Sequence, residues 1–368
     1  MTIIIGDCLV EMAKMETNSI DFIVTDPPYG LSFMGKEWDH GIPGVDFWKE
    51  AYRICKPGSM MAAFGGTRTF HRLTCAIEDA GWEIRDCCMW LYGSGFPKSH
   101  NKFGLDGYGT ALKPAWEPII LAMKPCDGTF AQNAEKWGLA GINIDESRIP
   151  TSDTWKQQCQ DIRNNGLLEK KGRLERFSES NPQGRWPANL ILDEEAGQQL
   201  DMFTGILKSG SGDKHSKTQL GGYQGGFKPM TGVREYEGDH GGASRFFYCA
   251  KASSKERNKG LEGMPLKENC FGKESLQGMD HNSTAKNGIQ QRLPKQNNHP
   301  TVKPISLMKY IIKLLAPPGS PILLDPFAGS GSTLIAAKEL GIRAIGIELN
   351  EEYAEIAQKR IENWEVAI

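Results

Sequence analysis

Short apolar runs alternate with helix-length stretches over the first 125 residues of this 368-residue chain and again over its last 65. That alternation restricts the fold more than any other feature. Thr2–Ile5, Asp21–Thr25, Ser59–Phe64, Trp82–Trp90 and Glu117–Met123 read as strands, with helical patterns between several of them. Near the other end a helix over Ile305–Leu315, a strand Pro321–Leu324, a helix from Ser332, a strand Ala344–Ile347 and a closing helix to Trp364 repeat the style. Strands alternating with helices predict a mainly parallel α/β sheet, and the two ends read as pieces of one doubly wound, Rossmann-like sheet. From Cys126 to Asn298 the pattern breaks down into loop chemistry, as in Ser209-Gly210-Ser211-Gly212 and Gly221-Gly222-Tyr223-Gln224-Gly225-Gly226-Phe227. Only Pro187–Leu192 and Ser244–Cys249 read there as short ordered pieces. The expected organisation is one α/β domain built from residues 1–125 and 299–368, with 126–298 a less regular insertion.

Bulk properties exclude several classes. The hydrophobic share is 39% and no run of about 18 apolar residues could span a bilayer. Thr2-Ile3-Ile4-Ile5 follows the first residue without a signal-peptide pattern, so no membrane role and a cytoplasmic location are expected. Nine cysteines and seven histidines give no C-x-x-C, no zinc spacing and no ligand set, so no metal is expected. The net charge of −2 hides an asymmetry: residues 151–310 carry 24 basic and 18 acidic side chains, the rest 19 and 27. A basic middle between acidic ends suggests that one part meets a polyanion while another does chemistry, although an ordinary solvated surface has the same count.

Two strand ends carry chemistry. Val24-Thr25-Asp26-Pro27-Pro28-Tyr29-Gly30 follows the apolar run Ile20–Val24, at a strand's C-terminal end where open α/β sheets bind ligands. Two prolines hold the Asp26 carboxylate and the Pro27 carbonyl in fixed positions. That pair suits an aromatic amine: accepting both N–H hydrogens pulls the nitrogen toward tetrahedral geometry and stabilises the positive charge that grows as it attacks a methyl sulfonium. A charge-assisted hydrogen bond contributes about 1.5–3 kcal/mol. Tyr29 is placed to stack on the base. Alone, the tetrapeptide reads equally as a rigid turn around a buried tyrosine.

The second is Leu323-Leu324-Asp325-Pro326-Phe327-Ala328-Gly329-Ser330-Gly331-Ser332-Thr333: a strand, a glycine-rich turn and a helix start. Gly329 and Gly331 let the backbone bend sharply and approach a ligand, without the G-x-G-x-x-G that would imply a pyrophosphate. About twenty residues on, the strand Ala344–Ile347 ends in Glu348, an acid suited to the two hydroxyls of a ribose. A tight βα connection explains the same turn without a ligand.

Together, in this order, the two motifs resemble the amino-group DNA methyltransferases of the permuted beta class, in which D-P-P-Y lies near the N-terminus, a target-recognition region follows and F-x-G-x-G comes last. The resemblance implies an S-adenosylmethionine-dependent enzyme acting on a flipped-out base of double-stranded DNA. Asp26, Pro27, Pro28 and Tyr29 would be catalytic, with Asp325, Phe327, Ala328, Gly329, Ser330, Gly331, Ser332 and Glu348 around the cofactor. Ile5-Gly6-Asp7 resembles the family's short N-terminal motif, whose acid lies near the cofactor adenine. His299-Pro300-Thr301-Val302-Lys303-Pro304 resembles the segment bordering its methionine end, where Lys303 could contact the carboxylate; the motif also reads as helix punctuation. Trp116–Leu121 and Arg245–Lys251 resemble flanking segments that also read as plain sheet structure, and no chemistry is assigned to them.

The resemblance favours N6 of adenine over N4 of cytosine, since relatives acting on cytosine N4 more often carry Ser in place of Asp26. RNA or protein-glutamine methyltransferases carry N-P-P-Y after the cofactor motif, against the order here. Pro125-Cys126 matches the Pro-Cys of cytosine-C5 methyltransferases in type but not in motif order. Trp90 falls where a second aromatic could meet the base, or where a strand tryptophan packs in the core. For DNA contact, Lys208, Lys214, Lys217 and Lys228 are interleaved with Tyr223 and glycines, a composition shared with linkers. A homodimer is compatible with the family, and an accompanying endonuclease is left open.

Overall fold

The computed structural model describes residues 1–30, 41–93, 104–152, 154–160, 175–179, 181–208, 234–250, 256–262, 264, 296–297, 299 and 301–366. They divide into two compact units, one of residues 1–91, 95–143 and 250–368, the other of 92–94 and 144–249.

The first unit opens with β1 (Thr2–Ile5), α1 (Cys8–Ala13), β2 (Ile20–Thr25), α2 (Val45–Ile54), β3 (Cys55–Phe64), α3 (Phe70–Asp79), β4 (Glu83–Leu91), β5 (Trp116–Met123) and α4 (Phe130–Trp137). The second contains β6 (Thr154–Gln160), β7 (Glu175–Glu179), β8 (Leu190–Asp193), α5 (Glu194–Thr204), β9 (Leu207–Lys208), β10 (Arg234–Glu237), β11 (His240–Gly241) and β12 (Tyr248–Ala250), the last running into the first unit. The first then closes with α6 (Ile305–Leu315), β13 (Ile322–Asp325), α7 (Ser332–Glu339), β14 (Arg343–Glu348) and α8 (Glu351–Asn363).

The first unit's strands lie in the order β1-β14-β13-β2-β3-β5-β4. The five from β1 to β3 run parallel, and β5 is antiparallel to both β3 and β4. The expected mainly parallel α/β fold is therefore present. The chain steps one way across the sheet from β2 to β3 and the other way from β13 to β14, so the neighbours β13 and β2 flank the point where strand order reverses. Open α/β sheets bind ligands at the carboxyl ends of the strands at such a point.

Central strands of a parallel sheet are covered on both faces and so read as continuous apolar runs. All of β2 is buried. Met61 and Ala63 of β3 join Ile20 and Ile23 of β2 in a cluster with Trp48, Ile54, Leu73 and Ile77 from α2 and α3. Their alternates Met60, Ala62 and Phe64 are equally buried and point to the opposite face, by the period of two along a strand. The alternation thus explains why both faces are apolar.

In the second unit β10-β6-β7 form an antiparallel sheet and β9 pairs β11. Regular structure between 126 and 298 exceeds what periodicity predicts there. Helix α4 is fixed by its ends: Thr129 and Gln132 form a reciprocal capping box, and Gly138 closes the helix at φ 72°. Helix α5 starts on Asp193, whose carboxylate accepts the Ala196 N–H at 2.6 Å. The two short pieces expected there appear as β8 and, after a 3-10 turn at Ala243–Phe246, β12. Among the described residues no helix is long and apolar enough to cross a membrane, and no three His, Cys, Asp or Glu are grouped to hold a metal ion.

Candidate functional site

The two motifs meet because β2 and β13 are parallel neighbours and end on the same edge of the sheet. Thr25, the last residue of β2, donates its hydroxyl to Asp325 Oδ1 of β13 at 2.8 Å, and the Phe327 N–H donates to the same oxygen at 3.1 Å. Burial pushes the Asp325 carboxyl up to about 6, against the lowering effect of hydrogen bonds from Thr333, Thr25 and Phe327. Asp325 is thus an internal brace joining the motifs.

The turn after β13 is held from three sides. Ala328 N–H donates to Ile347 O at 2.9 Å, and Gly329 N–H to Glu348 Oε2 at 2.8 Å. Arg360, fully buried on α8, donates to the Ser330 carbonyl at 2.5 Å and to its hydroxyl at 3.1 Å. The glycines act differently from the reading that both clear space for a ligand. A Cβ on Gly329, at φ 51°, would come within 2.8 Å of His299 Nε2. A Cβ on Gly331, at φ 82°, would come within 3.0 Å of Ala357 Cβ, and Gly331 does not line the cavity described below. Its missing side chain lets α8 approach, which corrects the ligand-clearance reading.

Asp26, just past the end of β2, has both carboxylate oxygens engaged. Tyr29 donates its hydroxyl to Oδ1 at 2.8 Å and Lys303 its ammonium to Oδ2 at 2.6 Å. Glu117 completes the group: its Oε2 lies 3.0 Å from the Tyr29 hydroxyl and 3.3 Å from Lys303 Nζ. Burial, then the charges of Asp26 and Glu117, raise the Tyr29 hydroxyl well above its ordinary value, so it remains a donor. Burial works to lower the Lys303 ammonium, but the same two carboxylates outweigh it and the net direction is upward, so it remains charged. Lys303, read as a contact for a cofactor carboxylate, lies in this structure on Asp26.

A cavity of about 810 Å³ opens at this edge of the sheet. It is lined by Asp7, Asp26–Tyr29, Lys303, Asp325, Phe327–Ser330, Ser332 and Glu348. Asp7 also caps α1, accepting the N–H groups of Leu9 and Val10 at 3.0 and 3.1 Å. Glu348 accepts from Gly329 and Asn350 at 2.8 and 2.9 Å and also from the Leu349 N–H, which leaves part of the carboxylate's acceptor capacity for a ligand. Burial raises its carboxyl. Ser332 Oγ, at the first residue of α7, is buried and finds no hydrogen-bond partner among the described residues.

Three lining residues carry no role of their own in the sequence reading, although His299 lies in the segment set at the cofactor's methionine end. Glu117 stands at the start of β5; because β5 runs antiparallel, its beginning lies on the edge where parallel strands end. The acid in Trp116-Glu117-Pro118 before an apolar strand was the available signal. His299 and Tyr353 pack edge to face at 4.7 Å, and burial, with Arg257, Lys303 and Arg360 nearby, lowers the His299 pKa to about 3. Trp90, expected near a base, is buried in β4 and is not among the lining residues, so core packing accounts for it. Lys208 lies exposed in β9 of the second unit. Lys214, Lys217, Tyr223 and Lys228 lie outside the described residues.

Comparison with known proteins gives the chain a family. A family model described as an N6/N4-type DNA methylase matches residues 20–359. The type II methyltransferase M.HpaI of Haemophilus parainfluenzae is 42% identical over 372 residues, 98% of this chain and 74% of that protein. The DNA adenine methyltransferase YhdJ of Escherichia coli (strain K12) is 42% identical over 74 residues, 20% of this chain, and the match spans only 25% of that relative's length. Among solved structures the cytosine-N4-specific PvuII DNA methyltransferase aligns over 97% of this chain and 85% of its own, at 13% identity and a TM-score of 0.46. On the family match and the near full-length similarity to M.HpaI, the chain belongs to the N6/N4 DNA methylase family.

Proposed function

We propose that this chain transfers a methyl group from S-adenosylmethionine to an exocyclic amino nitrogen of a DNA base, adenine N6 in preference to cytosine N4. The observation that carries the reading is the Thr25–Asp325 hydrogen bond, which brings the amine-accepting segment and the glycine turn to one cavity. The cavity residues suit that cofactor. Glu348 keeps acceptor sites for ribose hydroxyls, Phe327 and Tyr353 offer ring faces, and Ser332 Oγ offers an unsatisfied polar atom. Asp7 stands at the rim for the adenine end. When bound, S-adenosylmethionine supplies a sulfonium methyl, whose carbon takes the amine's lone pair as the C–S bond breaks with its electrons left on sulfur.

The chain's own groups do the rest. Asp26 and the Pro27 carbonyl accept the amino hydrogens, Asp26 faces the growing positive charge, and the proton released from the methylated nitrogen passes through the Asp26 carboxylate to solvent. Tyr29 stacks on a base flipped from the duplex, since a paired amino group cannot meet the methyl in line. Residues 126–298 serve as the target-recognition region between the two catalytic parts, 1–125 and 299–368, and the motif order is that of the permuted beta class. Asp at position 26 and the local similarity to YhdJ support adenine.

The test is incubation of the protein with unmodified double-stranded DNA and methyl-labelled S-adenosylmethionine, followed by hydrolysis to nucleosides. Label in N6-methyldeoxyadenosine is expected. Label in N4-methyldeoxycytidine alone would overturn the choice of base, and no label in any nucleoside would overturn the activity.

A further inference from the structure

Two carboxylates, one ammonium and one phenol share the floor of the amine site, and their arrangement is more than a salt bridge. Lys303 Nζ lies 2.6 Å from Asp26 and 3.3 Å from Glu117, while the Tyr29 hydroxyl lies 2.8 and 3.0 Å from the same two acids. Both donors are therefore shared, and each sits on the Asp26 side. Lys303 and the two acids retain 8%, 18% and 22% side-chain exposure, so water screens their charges little. An Asp26–Lys303 pair alone would be neutral. It would offer little to an amine that is becoming positive, and Asp26 would have both oxygens occupied by its own partners. With Glu117 present the group carries a net charge of −1.

We propose that Glu117 is a positioning residue that takes over the Lys303 ammonium when the amino group enters, which frees Asp26 and leaves the site one negative charge in excess. This rests on the methyl transfer proposed above. A movement of a few tenths of an ångström brings Lys303 to hydrogen-bond distance of Glu117, and the Tyr29 hydroxyl is already within that distance. One amino hydrogen then takes the place of the departing donors on Asp26, while the other goes to the Pro27 carbonyl. As the nitrogen gains positive charge it meets an uncompensated carboxylate, while Lys303 stays neutralised by Glu117. Lys303 in turn keeps two buried acids from repelling each other before the base arrives.

The experiment measures single-turnover methyl transfer to double-stranded DNA for the wild type, Glu117→Gln, Glu117→Asp, and Glu117→Gln combined with Lys303→Met. S-adenosylmethionine affinity is measured by titration calorimetry in parallel. Glu117→Gln keeps the shape and removes the charge, so its rate should fall about 100-fold with unchanged cofactor affinity. Glu117→Asp keeps the charge and should retain most of the rate. The double variant should recover at least 10-fold over Glu117→Gln, because removing the ammonium uncovers Asp26 again; a merely structural role would make the second substitution neutral or harmful. A Glu117→Gln rate close to wild type, or a double variant no faster than the single one, overturns the proposal. A wild-type protein that labels no base would sink the methyl-transfer reading instead, so the two failures are distinct.

Discussion

Asp26 concentrates the proposed chemistry, and its removal should separate rate from binding. Asp26→Ala should fold and bind S-adenosylmethionine and DNA, yet transfer methyl groups roughly 100- to 1000-fold more slowly in single turnovers, because a preorganised charge is removed mainly from the transition state. Near wild-type rates would return the Asp-Pro-Pro-Tyr segment to the status of a turn. Gly331 calls for a different measurement. Any side chain there combines a left-handed φ of 82° with contact on Ala357, so Gly331→Ala should lower stability by about 1–2 kcal/mol in denaturant unfolding. An unchanged midpoint would show that α8 does not press on the turn.

His299 and Asp325 pull stability in opposite directions with pH. His299 has a folded pKa of about 3 against an ordinary 6.5, so its contribution is present above pH 6.5 and is lost as the pH falls toward 3. Asp325 has a folded pKa of about 6 against 3.8, so its contribution is present below pH 3.8 and is lost as the pH rises toward 6. Between pH 4 and 6 the two slopes largely cancel. His299→Asn removes one of them: relative to wild type, the variant should gain about 1.4 kcal/mol per pH unit of acidification across that window. Parallel unfolding curves for the two proteins would show that His299 is not held neutral by the fold.

At the scale of elements, strands were legible where both faces are buried. Phe22–Val24 and Leu323–Leu324 are unbroken apolar runs because helices cover them on both sides, and the motif residues Asp26 and Asp325 follow them. Helices α4 and α5 were not legible by periodicity, since Phe130–Trp137 buries only Asn133 and Glu194–Thr204 only Gly197. Their caps, Thr129 with Gln132 and Asp193, were the readable signal. Glu117 escaped for another reason: its place in the site depends on β5 running against its neighbours, and no local pattern states a strand's direction. The stretch Lys208–Lys228 remains a proposal from charge and glycine content. Shortening it should weaken DNA binding without changing cofactor affinity, and lower the slope of log affinity against log salt by about 0.9 for each phosphate no longer neutralised. Wild-type affinity and slope in the shortened protein would remove it from the DNA interface.

At the scale of the whole molecule, both chain ends were readable as one sheet because each carries a strand, a motif and a helix in the same style. The first unit extends to Asn143 and resumes at Ala250, beyond the 125 and 299 suggested by composition. The reason is local: α4 docks on β3, with Asn133 donating to the Pro57 carbonyl at 3.0 Å, and Arg360 of α8 donates to the Glu256 carbonyl at 3.2 Å. Such contacts leave no trace in amino-acid content.

The hydrogen bond between Thr25 and Asp325 joins residues 300 positions apart. On a ribosome adding about 5–20 residues per second, β2 therefore emerges roughly 15–60 s before the strand that covers its flank. During that interval Phe22, Ile23 and Val24, all buried in the finished sheet, have no β13 to pair with. The nascent protein thus passes through a stage with an open, apolar sheet edge, and its yield in a cell should depend on whatever shields that edge until β13 is made.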